Sequence, residues 1–147
     1  MHNACVPDQL RRHDPAPCVQ VDLRDGIETG FAVLKDIRGN TQFLLIPTVR
    51  ISGIENAVIL APNAPNYFAM AWEARTYIDE ARHRTLRRDD VGLVVNSIRS
   101  RTQDQLHIHV DCIRPEVREA LREHELSIGS RWAPLDEYLF GHRYMAM

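Results

Sequence analysis

Apolar and polar positions change their period several times along the chain, and each change marks an element. Val19 to Leu23 and Phe31 to Asp36 read as strands, followed by Ile37-Arg38-Gly39-Asn40, a turn with two residues that tolerate positive φ. Gln42 to Ile46 is the returning strand, and Pro47, which cannot donate to a sheet ladder, ends it or puts its end at an edge. These first three strands are expected to be antiparallel. From Asn63 to Arg84 the period lengthens: Phe68, Ala71, Trp72, Ala74 and Ile78 fall near one helical face, with Pro65 suited to the first turn. One helix is predicted there, with Trp72 assigned to packing. Val91 to Asn96 is a short β-branched run, and Leu106, Ile108 and Val110 then alternate with His107, His109 and Asp111 in a strand of period two. Pro115 opens a polar helical stretch through about Glu125, while the N-terminal segment to about residue 18, with Pro7, Pro15 and Pro17, reads as loop. Strands and helices set apart along the chain predict an α+β fold, an antiparallel sheet with flanking helices.

A chain of 147 residues is long enough for one domain with a sizeable core and short for two, so residues 1–147 are read as a single domain. Its 18 basic and 20 acidic side chains leave a formal charge of -2, which supplies no global field for DNA, RNA or anionic lipid. Phosphate binding, if any, is local, and nucleic acid is not an expected partner. The apolar runs Phe43 to Pro47 and Ala57 to Ala61 fall far short of the roughly 18 residues that cross a bilayer. The polar start Met1-His2-Asn3-Ala4-Cys5 does not resemble a secretory signal. Cys5 and Cys18 lie where a crosslink would order a Pro-rich segment, but such a bridge needs an oxidising compartment, and two reduced thiols in a cytosolic protein are the alternative. Cys112 falls on the opposite strand face from His107 and His109 and is expected to be a buried packing residue.

Because strand side chains alternate, His107 and His109 share one face, roughly 6.6 Å apart at about 3.3 Å rise per residue, with Gln105 and Asp111 on the same side. Such a row is the solvated side of an edge strand, or it is a site. Two histidines on a strand face also suit zinc or iron, completed by Asp111, His83 or His124. A nucleotide-binding or lipid-binding surface without turnover is a third reading.

Gln105-Leu106-His107-Ile108-His109-Val110 resembles the histidine-triad signature, His-φ-His-φ-His, whose middle histidine is the nucleophile. Gln42-Phe43-Leu44-Leu45-Ile46-Pro47 is similar to the strand ending in Ile-Pro in that superfamily, and Val94-Val95-Asn96 to the strand that supplies a phosphate-binding asparagine. Within it, Cys5-Val6-Pro7, Ile51-Ser52-Gly53-Ile54-Glu55, Arg101-Thr102-Gln103, Cys112-Ile113-Arg114-Pro115 and Ser130-Arg131-Trp132 resemble the bacterial CDP-diacylglycerol pyrophosphatases, so the likeness covers nearly the whole chain.

The resemblance implies cleavage of the pyrophosphate of CDP-diacylglycerol, or a related nucleotide pyrophosphate, into CMP and phosphatidic acid, without metal or other cofactor. It makes His107 the nucleophile and His109, Asn96, Thr102 and Gln103 the groups that hold the phosphoryl oxygens. Arg99, Arg101 and Arg50 are candidates for added positive charge, since a guanidinium forks onto phosphate oxygens. Gln105 replaces the first histidine of the triad, a position that supports the nucleophile, and an amide can both donate and accept there. The family usually carries an N-terminal membrane anchor and continues past the position of Met147. The expected location is therefore the periplasmic side of the inner membrane, with membrane-surface contact, if a native anchor precedes this sequence, and otherwise the cytoplasm.

Overall fold

The computed structural model describes residues 1–147, which form two compact units. The first comprises residues 1–86 and 91–112, the second residues 87–90 and 113–147. In the first unit, β1 (Gln20–Asp22), β2 (Phe31–Lys35), β3 (Phe43–Pro47), β4 (Val91–Val94) and β5 (Ile108–Cys112) build one sheet in the order β1-β2-β3-β5-β4, with every neighbouring pair antiparallel. The α+β architecture with an antiparallel sheet agrees with the sequence pattern.

Alternation gives the sheet two different faces. Phe43 and Leu45 on β3 pair with Val110 and Ile108 on β5, and all four are buried in a core that includes Tyr67, Ala71, Ala74 and Ile78. Burying a Leu or Ile side chain of this kind contributes about 1.5–3 kcal/mol. The helices on this face are α2 (Tyr67–Glu73) and α3 (Thr76–Arg82), not the one continuous helix expected from Asn63 to Arg84. The backbone tightens at the junction, where the amides of Arg75 and Ile78 bond three residues back to Trp72 and Arg75, and the Thr76 hydroxyl takes the Glu73 carbonyl. Pro65 lies outside the helix. Asn66 caps α2 by accepting the Ala69 amide, which puts Tyr67 rather than Phe68 in the core. Trp72 packs against the core edge, with the Arg75 guanidinium over its ring at 4.7 Å.

The other face is covered at its β1–β2 end by a second cluster of Cys5, Val6, Cys18, Val21 and Ala32. Here the structure corrects the loop expected for the N-terminal segment, because Cys5–Arg12 is a helix, α1. Pro7 does not prevent it, since the third helical position is among those whose N–H has no intrahelical partner. Cys5 and Cys18 are joined by a disulfide, with sulfurs 2.05 Å apart and both residues buried. Cys112 packs against the main core but is only half-buried, not fully enclosed as expected, and Arg82 Nη2 donates to its sulfur at 3.9 Å.

In the second unit, α4 (Pro115–Glu123) begins at Pro115 as predicted, with proline in the first turn where its missing N–H costs nothing. An antiparallel pair, β6 (Ala133–Leu139) and β7 (His142–Ala146), follows it. Ala120, Leu135 and Leu139 form this unit's core. The hairpin turn carries positive φ at Phe140 (52°) and Gly141 (80°), which matches strand twist in a two-residue loop, and Arg114 stacks on the Phe140 ring at 4.4 Å. No helix of the protein is long and apolar enough to cross a membrane.

Candidate active site

His107 and His109 lie on the sheet face opposite the main core, because their neighbours Ile108 and Val110 are the buried partners of Leu45 and Phe43, and Leu106 is buried in the same core. The two imidazole rings meet edge to face with centroids 5.1 Å apart. Leu44 on β3 and Val94 on β4 stand opposite His109, so the polar row has an apolar border on either side.

The two rings have different partners. His107 Nδ1 is 2.7 Å from the backbone carbonyl of Gln105. A carbonyl only accepts, so Nδ1 carries the proton and the neutral ring has its lone pair at Nε2. His109 lies between two carboxamides, with Gln42 Nε2 2.5 Å from its Nδ1 and Asn96 Nδ2 3.3 Å from its Nε2. Burial pushes the His109 imidazole below its ordinary pKa, with His107 adding to the push and Asp36 and Asp111 opposing it. Asp111 is occupied by the Thr41 hydroxyl at 2.6 Å and by the Cys112 amide.

The remaining sequence-predicted residues separate by partner. The Gln105 side chain is half-buried and bonded to backbone. Its amide donates to the Pro47 and Val49 carbonyls at 3.3 and 3.0 Å, bracing the exit of β3, while its own carbonyl serves His107. The Arg101 guanidinium forks onto both Glu55 oxygens, at 2.9 and 2.7 Å, and reaches Asp104 at 3.0 Å, with its side chain 4% exposed. It approaches Gly53 so closely that a Cβ there would stand 2.5 Å from Nη1. Arg101 is thus committed to carboxylates. Arg50 is exposed and lines a shallow groove of about 540 Å³ with Gln103, Gln105 and the first residues of the chain. Thr102 is exposed before that groove's Gln103, and Arg99 is exposed in the turn after β4. Of the alternative metal ligands, His83 caps the C-terminus of α3, and His124 belongs to the second unit, where its Nε2 lies 3.3 Å from a Glu137 carboxylate oxygen. No three His, Cys, Asp or Glu side chains come together in a metal-binding group.

Gln42 and Thr41 were not among the residues expected at the site. The sequence places them beside a turn, and only the pairing of β3 with β5, Leu44 opposite His109, brings them to the histidine row. A polar pair entering a strand next to a turn is the one local signal, and it is common in solvated turns as well.

These features define an α+β domain with a two-histidine site on one face of an antiparallel sheet. The chain belongs to the CDP-diacylglycerol pyrophosphatase family, which it matches over residues 1–147. It is 46% identical over 140 residues to a Yersinia pestis protein named CDP-diacylglycerol pyrophosphatase, a match that covers 95% of this chain and 53% of that protein. The chain therefore spans about half the length of this curated relative.

Proposed function

We propose that this chain carries the catalytic histidines of a hydrolase that cleaves the pyrophosphate bond of CDP-diacylglycerol, giving CMP and phosphatidic acid. The observation that carries the reading is the 2.7 Å contact from His107 Nδ1 to the Gln105 carbonyl, which places the Nδ1 proton on that carbonyl and, in the neutral imidazole, leaves the lone pair at Nε2. A pyrophosphate is anionic, so a neutral nucleophile avoids the repulsion that an oxyanion would meet. The His107 Nε2 lone pair forms a bond to the cytidylyl phosphorus as the bond to the phosphatidate oxygen breaks. Phosphatidate leaves with the electron pair, and water then hydrolyses the CMP-histidine, returning His107 to its starting state. A loose phosphoryl-transfer transition state spreads charge over the phosphoryl oxygens, and groups that already point at them do most of the stabilising. His109, Asn96, Gln103 and Thr102 serve there, with Arg50 and Arg99 as the uncommitted cations. The histidine-triad placement is supported by the three sequence segments in order and by the antiparallel sheet that holds them. Gln105 fits it because the backbone carbonyl, not the lost imidazole, is what holds the nucleophile. The Cys5–Cys18 disulfide supports the periplasmic side of the inner membrane over the reducing cytosol, and a diacylglycerol-bearing substrate supports contact with a lipid surface.

Substrate labelled in its cytidylyl phosphate provides the test. Rapid acid-free quenching during a burst is expected to trap an acid-labile, base-stable adduct on the peptide containing His107. His107→Ala removes turnover and adduct together, whereas His109→Ala lowers the rate about 10²- to 10³-fold and leaves residual activity. Equal, mild losses in both variants would sink the assignment. Faster cleavage of soluble nucleotide pyrophosphates than of CDP-diacylglycerol would move the substrate away from lipid.

A further inference from the structure

From Asn56 to Trp72 the chain has no Asp, Glu, Lys, Arg or His, although charged residues make up 26% of the whole. The segment is a single 3-10 turn, Ala57–Leu60, a short connection with Pro62 and Pro65, and then α2. One side of it packs, with Tyr67 and Ala71 in the main core and Ile59 and Met70 against it. The other side turns apolar groups outward: Leu60 is 82% exposed, Val58 52% and Phe68 39%. Leu60, Pro65, Phe68 and Leu106 line one apolar cleft of about 220 Å³. A lone exposed leucine is ordinary, whereas an uncharged run with several large side chains around one cleft marks a contact surface.

We propose that this surface, from Val58 to Phe68, seats on the acyl region of a lipid bilayer. The inference rests on the reading of the substrate as CDP-diacylglycerol and names the face through which the protein meets it. Entering lipid costs most for charges and for unbonded amides. Here there is no charge, the amides of Val58, Ile59, Ala61 and Ala64 are bonded to acceptors within the segment, and Pro62 and Pro65 have no N–H. The charges that bound it are already paired, Glu55 with the Arg101 fork and Arg75 with the Trp72 carbonyl and ring. The exposed groups are mainly aliphatic, without the arginines and polar rim that mark protein interfaces. A formal charge of -2 supplies no pull toward anionic lipid, so attachment has to come from apolar burial. The place also suits the site. Leu106 borders the cleft, precedes His107 and donates its amide to the Ile51 carbonyl at 2.6 Å, so the surface lies at the end of the sheet where β5 enters.

Neutral phosphatidylcholine vesicles without substrate are the probe. Wild-type protein should co-sediment with them and stay bound in high salt. Val58→Asp and Leu60→Asp should each lower the partition coefficient by about tenfold or more, whereas Leu126→Asp, at a fully exposed position in the second unit, should leave it unchanged. Both tested side chains are exposed, so melting midpoints should match wild type; if an aspartate variant does not fold, the Val58→Ser, Leu60→Ser double variant carries the test. In turnover, Leu60→Asp should raise the apparent KM for CDP-diacylglycerol in vesicles about tenfold and leave cleavage of a short-chain, water-soluble analogue unchanged. Wild-type protein that stays in the supernatant, aspartate variants that bind as wild type, or equal losses on both substrates overturn the proposal. So does self-association that Leu60→Asp abolishes in the absence of any vesicle binding, which would make the surface a contact between copies. If vesicle binding behaves as expected but no CDP-diacylglycerol is cleaved, the lipid-facing surface stands and the substrate reading falls.

Discussion

His107 and His109 are the same side chain two residues apart, and their neighbours make them different reagents. A backbone carbonyl holds Nδ1 of one and leaves its Nε2 without a partner, whereas the carboxamides of Gln42 and Asn96 close on both ring nitrogens of the other. The difference has a consequence for stability as well as for chemistry. Burial depresses the His109 pKa in the folded protein, so the unfolded chain takes up the proton first as pH falls. The stability linked to this group is therefore complete above the unfolded value of about 6.5 and is lost as pH drops through the lower folded value. Urea midpoints between pH 7.5 and 5 should fall in the wild-type protein, and the fall should be shallower in His109→Gln. Carboxylates held down by arginine, Asp22 by Arg24 and Glu55 by Arg101, lose their contribution only at more acid pH, below the ordinary carboxylate values, so the two windows separate. An equal slope in both proteins across pH 7.5 to 5 would assign the acid sensitivity elsewhere.

Strand β5 with the residues leading into it does two tasks at once, and the division follows its alternation. Leu106, Ile108 and Val110 anchor the strand in the core, while Gln105, His107 and His109 are presented on the other side. Gln105→Ala is a test of that division. It removes two side-chain hydrogen bonds to the Pro47 and Val49 carbonyls, worth about 0.5–1.5 kcal/mol each, and leaves the backbone carbonyl that holds His107. Stability should drop by about 1–3 kcal/mol in denaturant melts while turnover stays within about tenfold of wild type. A loss as deep as that of His107→Ala would mean that the side chain, not the carbonyl, supports His107. The alternation of β5 was legible because period two is a local property, and so was the return of β3 after the Gly39 turn. The partner of His109 was not legible: which β3 residue stands opposite is decided by register across 65 residues of chain, Leu44 to His109, and nothing local to Gln42 records it. Likewise the fork of Arg101 onto Glu55, 46 residues away, turned a candidate phosphate ligand into a brace.

At the scale of the molecule, the N-terminal segment shows how a tertiary constraint can override a composition signal. Proline density reads as loop, yet α1 forms between Cys5 and Arg12 because Pro7 falls in the first turn and Cys5 and Val6 have an apolar cluster to enter. That cluster lies over β1 and β2 on the same face as the histidines, since Ala32 pairs with Ile46, Leu34 with Leu44, and Leu44 with His109. The Cys5–Cys18 bridge therefore fastens α1 to the end of the face that carries the site. Closing a loop with a sequence separation of 13 removes unfolded-state freedom worth about 3 kcal/mol, a large share of the roughly 5–15 kcal/mol that holds an ordinary domain together. A Cys5→Ser, Cys18→Ser double variant should lose about 2–4 kcal/mol in urea melts, and reductant should bring the wild-type protein to the same midpoint. The main core of Leu45, Ile78 and Ile108 does not involve α1, so the sheet and the His107 contact to Gln105 should survive at low denaturant. The two observables should thus separate: amides of Val6 and Val21 exchange faster after reduction, while those of Ile108 and Val110 keep their protection. Uniform loss of protection across all four would show instead that the bridge holds the whole sheet, and that α1 is a structural requirement for the histidine row rather than a cover at its end.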